Sequence, residues 1–166
     1  MRRVLGIHRP AVLATLALAL SGTACNHVGN QSQNAEAVIL VTNVTTADTS
    51  VASTVDTTAI LTLSVLDRNT NRPLDDLPNF FNDVTLTNYS VVYQPAGVVP
   101  DIVSGVISTG FLAVGSSGAS LTLTMVANGS KPAAGTVVLG DVHVEGHDLN
   151  GRVVTFDAQV AITFTP

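Results

Sequence analysis

The sequence predicts an all-β domain, an antiparallel β-sandwich, and three observations carry that prediction. Seven stretches rich in Val, Ile, Leu and Thr follow one another, each bounded by turn residues. Inside them apolar and polar residues alternate with the period of two that a half-buried strand requires. No window keeps a helical period with caps at its ends.

Taken in order, the predicted strands are Val38 to Val44, Thr57 to Asp67, Asp83 to Gln94, Ile102 to Val114, Ala119 to Ala127, Thr136 to Gly146 and Arg152 to Phe164. Alternation is cleanest in the last, where Val154, Phe156, Ala158, Val160, Ile162 and Phe164 share one face and Thr155, Asp157, Gln159, Ala161 and Thr163 share the other. Ala119, Leu121, Leu123 and Met125 divide in the same way from Ser120, Thr122 and Thr124. The segment Asp83 to Gln94 changes phase, because Val84 and Leu86 are even-numbered while Tyr89, Val91 and Tyr93 are odd. One extra residue near Asn88 restores a single buried face, so a bulge or bend is expected there. That face also assigns both tyrosines to the core. Gln94-Pro95-Ala96-Gly97 suits a type I turn, and Gly115-Ser-Ser-Gly118 a turn between two strands.

Parity also sets the register of the last hairpin. A three-residue loop, Leu149-Asn150-Gly151 with Gly151 left-handed, places Asp148 opposite Arg152, Val144 opposite Phe156 and Val142 opposite Ala158. A two-residue Asn-Gly loop would set Val144 against Asp157 and mix the faces. The longer loop is therefore expected. Seven strands within residues 37–166, with frequent turns, point to an immunoglobulin-like antiparallel β-sandwich, with a small β-barrel as the alternative.

The N-terminus has a different character. Arg2, Arg3 and Arg9 precede an uncharged run from Ala11 to Leu20, and Ser21 to Ala24 are small, so residues 1–24 read as an export signal peptide. Spanning a bilayer takes about 20 apolar residues, more than Pro10 to Ala24 supply. The one cysteine of the chain, Cys25, stands at the end of this segment. Asn26 to Glu36 then form a polar stretch without apolar period, a flexible tether with a reach of about 18 Å. About 140 residues remain after the signal, enough for one domain, and with a single cysteine that domain has no internal disulfide.

Beyond the signal only Arg68, Arg72, Lys131 and Arg152 are basic, against all 12 acidic residues. Nucleic acid and anionic lipid headgroups both need clustered Lys and Arg, so neither is an expected partner of the folded domain.

One cluster carries coordination chemistry. Asp141, His143, Glu145 and His147 are spaced two apart on one strand face, and the hairpin register adds Asp157 directly across from His143. His143, Glu145, His147 and Asp157 are the candidate metal ligands, of the types zinc and copper accept. Alternate residues on a strand lie about 6.6 Å apart, so one ion reaches two or three of them but not all. The plainer reading is a solvent-facing polar stripe with a His143–Asp157 cross-strand pair worth less than about 1 kcal/mol. Asp67-Arg-Asn-Thr-Asn71 begins like a calcium loop, but Arg72 stands where the sharp turn needs Gly and Pro78 where the last ligand is Glu. Asp75, Asp76 and Asp83 read as solvated loop carboxylates. No nucleophile elbow and no phosphate-cradling loop occur, so no cofactor and no catalysis are expected.

Ser21-Gly-Thr-Ala-Cys25, behind its basic and apolar segments, resembles the lipobox of bacterial lipoproteins. In that family a diacylglyceryl group is attached to the cysteine sulfur and the signal is cut just before it. The resemblance implies that Cys25 is lipidated, although Gly22 stands where the family prefers Leu. Ordinary cleavage after Ala24 is the alternative. The family's sorting rule reads the residue after the cysteine, and Asn26 there implies the outer membrane. Asp67 to Pro73, Asn82 to Tyr93 and Val154 to Phe164 further resemble uncharacterised secreted bacterial proteins with Ig-like sandwiches. Together these features predict a lipid-anchored cell-envelope protein, a structural or interaction module with an unknown envelope protein as partner. The alternative is a ligand-binding accessory protein that takes a metal ion or small solute.

Overall fold

The computed structural model describes residues 37–67, 82–108 and 110–166. The signal segment, Cys25, the tether and the Arg68 to Asp76 part of the calcium-like and acidic loop lie outside them. Eight strands follow in chain order: β1 (Ala37–Ala47), β2 (Thr57–Asp67), β3 (Val84–Gln94), β4 (Ile102–Val106), β5 (Phe111–Leu112), β6 (Ser117–Val126), β7 (Val137–Asp148) and β8 (Val153–Thr163). A 3-10 turn spans Asn128–Ser130, and among the described residues no helix is long and apolar enough to cross a membrane.

The strands form two antiparallel sheets, one of order β1-β2-β6 and one of order β4-β3-β7-β8 with β5 also pairing with β3. This is the immunoglobulin-like arrangement: the first, second and sixth strands form one layer, while the third, seventh and eighth form the other. The sheets do not close on each other, so the chain is a sandwich and not a barrel.

Alternation decides which side chains fill the space between the layers. β2 presents Thr57, Ala59, Leu61, Leu63 and Val65, all fully buried, and β6 presents Leu121, Leu123 and Met125. From the other sheet Val142, Val144, Val154, Phe156, Val160 and Ile162 point inward. Packing of the two inner faces at close-packed density supplies most of the stabilisation in such a layer pair. Ala119 is only half-buried, because the register of β6 against β2 shifts beside it at Gly118, where φ is +77°.

The expected bulge is present. In the pairing of β3 with β7, Leu86 faces Gly146 and Asn88 faces Glu145, which leaves Thr87 as the extra residue. Val84 and Leu86 on one side of it, and Tyr89, Val91 and Tyr93 on the other, are therefore all buried. Opposite the bulge the predicted strand Ile102 to Val114 breaks into two, β4 against Asn88 to Val91 and β5 against Val84 and Thr85. A bulge bends its strand, and a straight partner cannot follow both halves. Gly110 sits at the break because a Cβ there would lie 2.4 Å from the Leu86 carbonyl oxygen.

The β7–β8 hairpin has the predicted register, with Val144 opposite Phe156, Val142 opposite Ala158 and His143 opposite Asp157. Asp148 and Arg152 close its loop, the Asp148 N–H donating to the Arg152 carbonyl at 3.0 Å, and Gly151 has φ +77°. The turn after β3 differs from the expected type I. The Gln94–Pro95 peptide is cis, and the chain reverses through Ala96-Gly97 with Gly97 at φ +80°, the value a type II turn takes at its third position.

Two devices tie the layers together. The Tyr89 hydroxyl donates to the Thr124 carbonyl at 2.7 Å and the Tyr93 hydroxyl to the Met125 carbonyl, both across the core from β3 to β6. At the opposite side Thr49 to Val51 pair in parallel with Thr165, and the Lys131 ammonium donates to the Asp48 and Ser50 carbonyls at 2.9 and 3.0 Å.

Candidate functional site

The register that buries one face of β3, β7 and β8 lines up the polar residues on the other. Ser90, His143 and Asp157 form one row across the three strands, Asn88, Glu145 and Thr155 the next, and Val92, Asp141 and Gln159 the row on the other side. These rows cover the outer surface of the five-stranded sheet. Between them lies a shallow groove of about 590 Å³, whose walls include Ser90, Val92, Asp141, His143, Asp157 and Gln159.

A chain of hydrogen bonds and one ion-pair contact runs through the rows. His143 Nδ1 lies 2.6 Å from Asp157 Oδ1, and His143 Nε2 lies 3.4 Å from Glu145 Oε1. Glu145 Oε2 accepts from Asn88 Nδ2 at 3.1 Å, and Asn88 Oδ1 accepts from the Thr87 hydroxyl at 2.7 Å. Asp141 accepts from Gln94 at 3.0 Å and from Gln159 at 2.9 Å. The three central side chains are each a little over 40% exposed, so solvent screens them and any ligand enters from open water.

Of the predicted metal ligands, the structure brings His143, Glu145 and Asp157 together. His147 stands two rows from His143 and Asp157, opposite Thr85 and Val153, and among the described residues no hydrogen bond or ion pair joins it to them. Among the described residues no three His, Cys, Asp or Glu side chains converge as a ready metal-binding group. Ser90, His143 and Asp157 do set a hydroxyl, an imidazole and a carboxylate side by side, the order that nucleophilic hydrolysis uses. Ser90 and His143 face each other in the ladder of β3 with β7.

Three buried polar residues escape a reading by alternation. Asn82, Asp83 and Asp148 are nearly inaccessible, although each sits at a strand end among turn residues, so Asp83 is a buried carboxylate and not the solvated loop residue expected of it. Asp83 Oδ1 accepts from the Val114 amide at 2.9 Å, and Asp148 Oδ1 accepts from the Asn150 and Arg152 amides at 2.9 and 2.8 Å. These carboxylates hold loops in place. The only local signal is at Asp148, which directly precedes the Leu149-Asn150-Gly151 turn, a pattern that describes many exposed turns equally well, and Asp83 has none.

Burial pushes the ionisation of both tyrosines to higher pH. For Tyr89 desolvation outweighs the hydrogen bond to Thr124, and for Tyr93, pushed further, the nearby Tyr89 and Asp101 add to it. Both hydroxyls are thus held protonated and serve as donors between the sheets. Comparison with protein-family models, with curated proteins and with solved structures found no match to this chain.

Proposed function

We propose that the chain is a lipoprotein of the bacterial cell envelope, anchored through Cys25 at the outer membrane, whose sandwich domain acts as a structural or interaction module without catalysis. The observation that carries this reading is the placement of the single cysteine, directly after Ser21-Gly-Thr-Ala24 and twelve residues before the first strand begins at Ala37. Two or three acyl chains, at about 0.8 kcal/mol per buried methylene, hold a folded domain on a membrane without a spanning helix.

An interaction role is supported by the β4–β5 border of the outer sheet face. Val103, Val106, Phe111 and Val92 are between 55% and 89% exposed along it, more apolar surface than isolated residues would present. The reading is tested by Cys25→Ser with metabolic palmitate labelling and membrane fractionation. Loss of label and release of the domain are expected. Retention of both refutes the anchor.

A further inference from the structure

The two ends of the sandwich show different side chains to solvent. One end gathers the start of β1, the close of β2 and the β7–β8 loop: Ala37 pairs with Asp67, Asn82 Nδ2 donates to Asp67 Oδ2 at 3.5 Å, and the Leu149 amide donates to the Asp83 carbonyl at 3.1 Å. Among the described residues the exposed leucine and phenylalanine side chains are Leu66, Phe111 and Leu149, and all three stand at this end. Phe111 and the exposed Val153 close the two sides of one cross-strand row, through Thr85 and His147. The carboxylates divide the other way. Here Asp83 and Asp148 are buried and accept from loop amides, whereas the exposed Asp48, Asp56 and Asp101 lie at the far end, where β1 stops, β2 starts and β3 stops.

Leucine at a hairpin tip is unusual, because such tips favour Gly, Asn and Asp. The tip is also held rigid, since Asp148 Oδ1 accepts from the amides of Asn150 and Arg152. Leu149 is thus presented by a loop that is already ordered, which lowers the entropy cost of burying it against another surface.

The tether decides what that surface is. Cys25 stands twelve residues before Ala37, and a flexible stretch of that length reaches about 18 Å. An eleven-residue strand such as β1 is about twice as long, roughly 36 Å. Anchored at Cys25, the chain keeps its Ala37 end against the bilayer and its acidic end several Debye lengths out in water, each about 8 Å. We infer that this end of the sandwich docks on the lipid surface, with Leu66, Phe111, Leu149 and Val153 at the boundary of headgroups and acyl chains, so that the domain is held in one orientation on its tether. The contact is apolar. Among the described residues Arg152 is the one Lys or Arg at this end, so docking needs no anionic lipid.

The orientation rests on the proposed anchor at Cys25, and the experiment separates the two. The chain has no tryptophan, so a single introduced one is a unique reporter. Purified protein carrying Leu149→Trp or Phe111→Trp is placed on vesicles of phosphatidylcholine brominated near the top of its acyl chains. Val55→Trp and Val137→Trp, similarly exposed at the far end, are the comparison. Protein that does not float with the vesicles overturns the anchor alone. Cys25 is then coupled to a maleimide-bearing phosphatidylethanolamine, and the comparison is read from the same attachment point. At an insertion depth of about 5–10 Å, the Leu149→Trp and Phe111→Trp emission should shift to the blue and lose at least about half its intensity. The two far-end reporters should keep theirs. Adding Leu66→Ser and Val153→Ser to the Leu149→Trp chain should restore part of its emission. Quenching that is absent, equal at the two ends or greater at the far end overturns the docking.

Discussion

The two faces of the five-stranded sheet are made by the same strands in the same register, yet they do opposite things. Inward, Val142, Val144, Phe156 and Ala158 meet the other layer and are all but inaccessible. Outward, one residue along each strand, Asp141, His143, Asp157 and Gln159 stand in solvent and bond to one another. A shift of one residue would exchange the two sets. The difference teaches that the pleat, not any local motif, assembles the polar site: the packing that fixes the core also fixes which imidazole meets which carboxylate.

Breaking the pleat should therefore have the largest effect. Deleting Thr87 removes the bulge that keeps Val84 and Leu86 on the same face as Tyr89, Val91 and Tyr93. One half of β3 must then turn outward, and exposing even Val84 and Leu86 costs about 3–6 kcal/mol. Urea unfolding should show a strongly lowered midpoint or no cooperative transition, and a near-parental midpoint would mean that the bulge is not what aligns the two halves.

A smaller loss is expected where the inner face makes its hydrogen bonds to β6. Tyr93→Phe leaves the Met125 carbonyl without its donor at a cost of about 1–3 kcal/mol, measurable in the same unfolding experiment. The sign of the pH effect follows from burial. Because the folded-state ionisation of both tyrosines lies above that of the unfolded chain, their contribution is intact below about pH 10 and fades as pH rises beyond it. These are the only tyrosines and the chain has no tryptophan, so tyrosinate absorbance reports on them alone. The native protein should show less tyrosinate at pH 10 than the urea-unfolded protein, which should be about half ionised.

The outer face should matter least to stability. His143→Ala removes a screened cross-strand pair, and the midpoint should correspond to a change of less than about 1 kcal/mol. A loss comparable to that of Tyr93→Phe would mean that the two faces are not separable.

How much of this was legible in the sequence follows from the range of each interaction. The β7–β8 register was legible because a loop of three residues and the parity of Val142, Val144, Phe156 and Ala158 leave one consistent pairing. The bulge in β3 was legible from a phase change within one strand. The break between β4 and β5 was not, since its cause lies at Thr87 in the neighbouring strand. The same limit applies to the site. His143 and Asp157 are joined by the hairpin and were read as a pair, but Ser90 and Asn88 enter from β3, more than fifty residues away, through a pairing that no local pattern announces. His147 shares the face of His143 but lies too far along the strand to join it.

The central claim concerns Cys25, and mass spectrometry of the N-terminal peptide from the membrane-extracted protein tests it most directly. The peptide should begin at Cys25 and carry a diacylglyceryl group on its sulfur, with a further acyl chain on the amino group. A mature chain that begins at Cys25 with an unmodified thiol, or that begins at any other residue, would contradict the account.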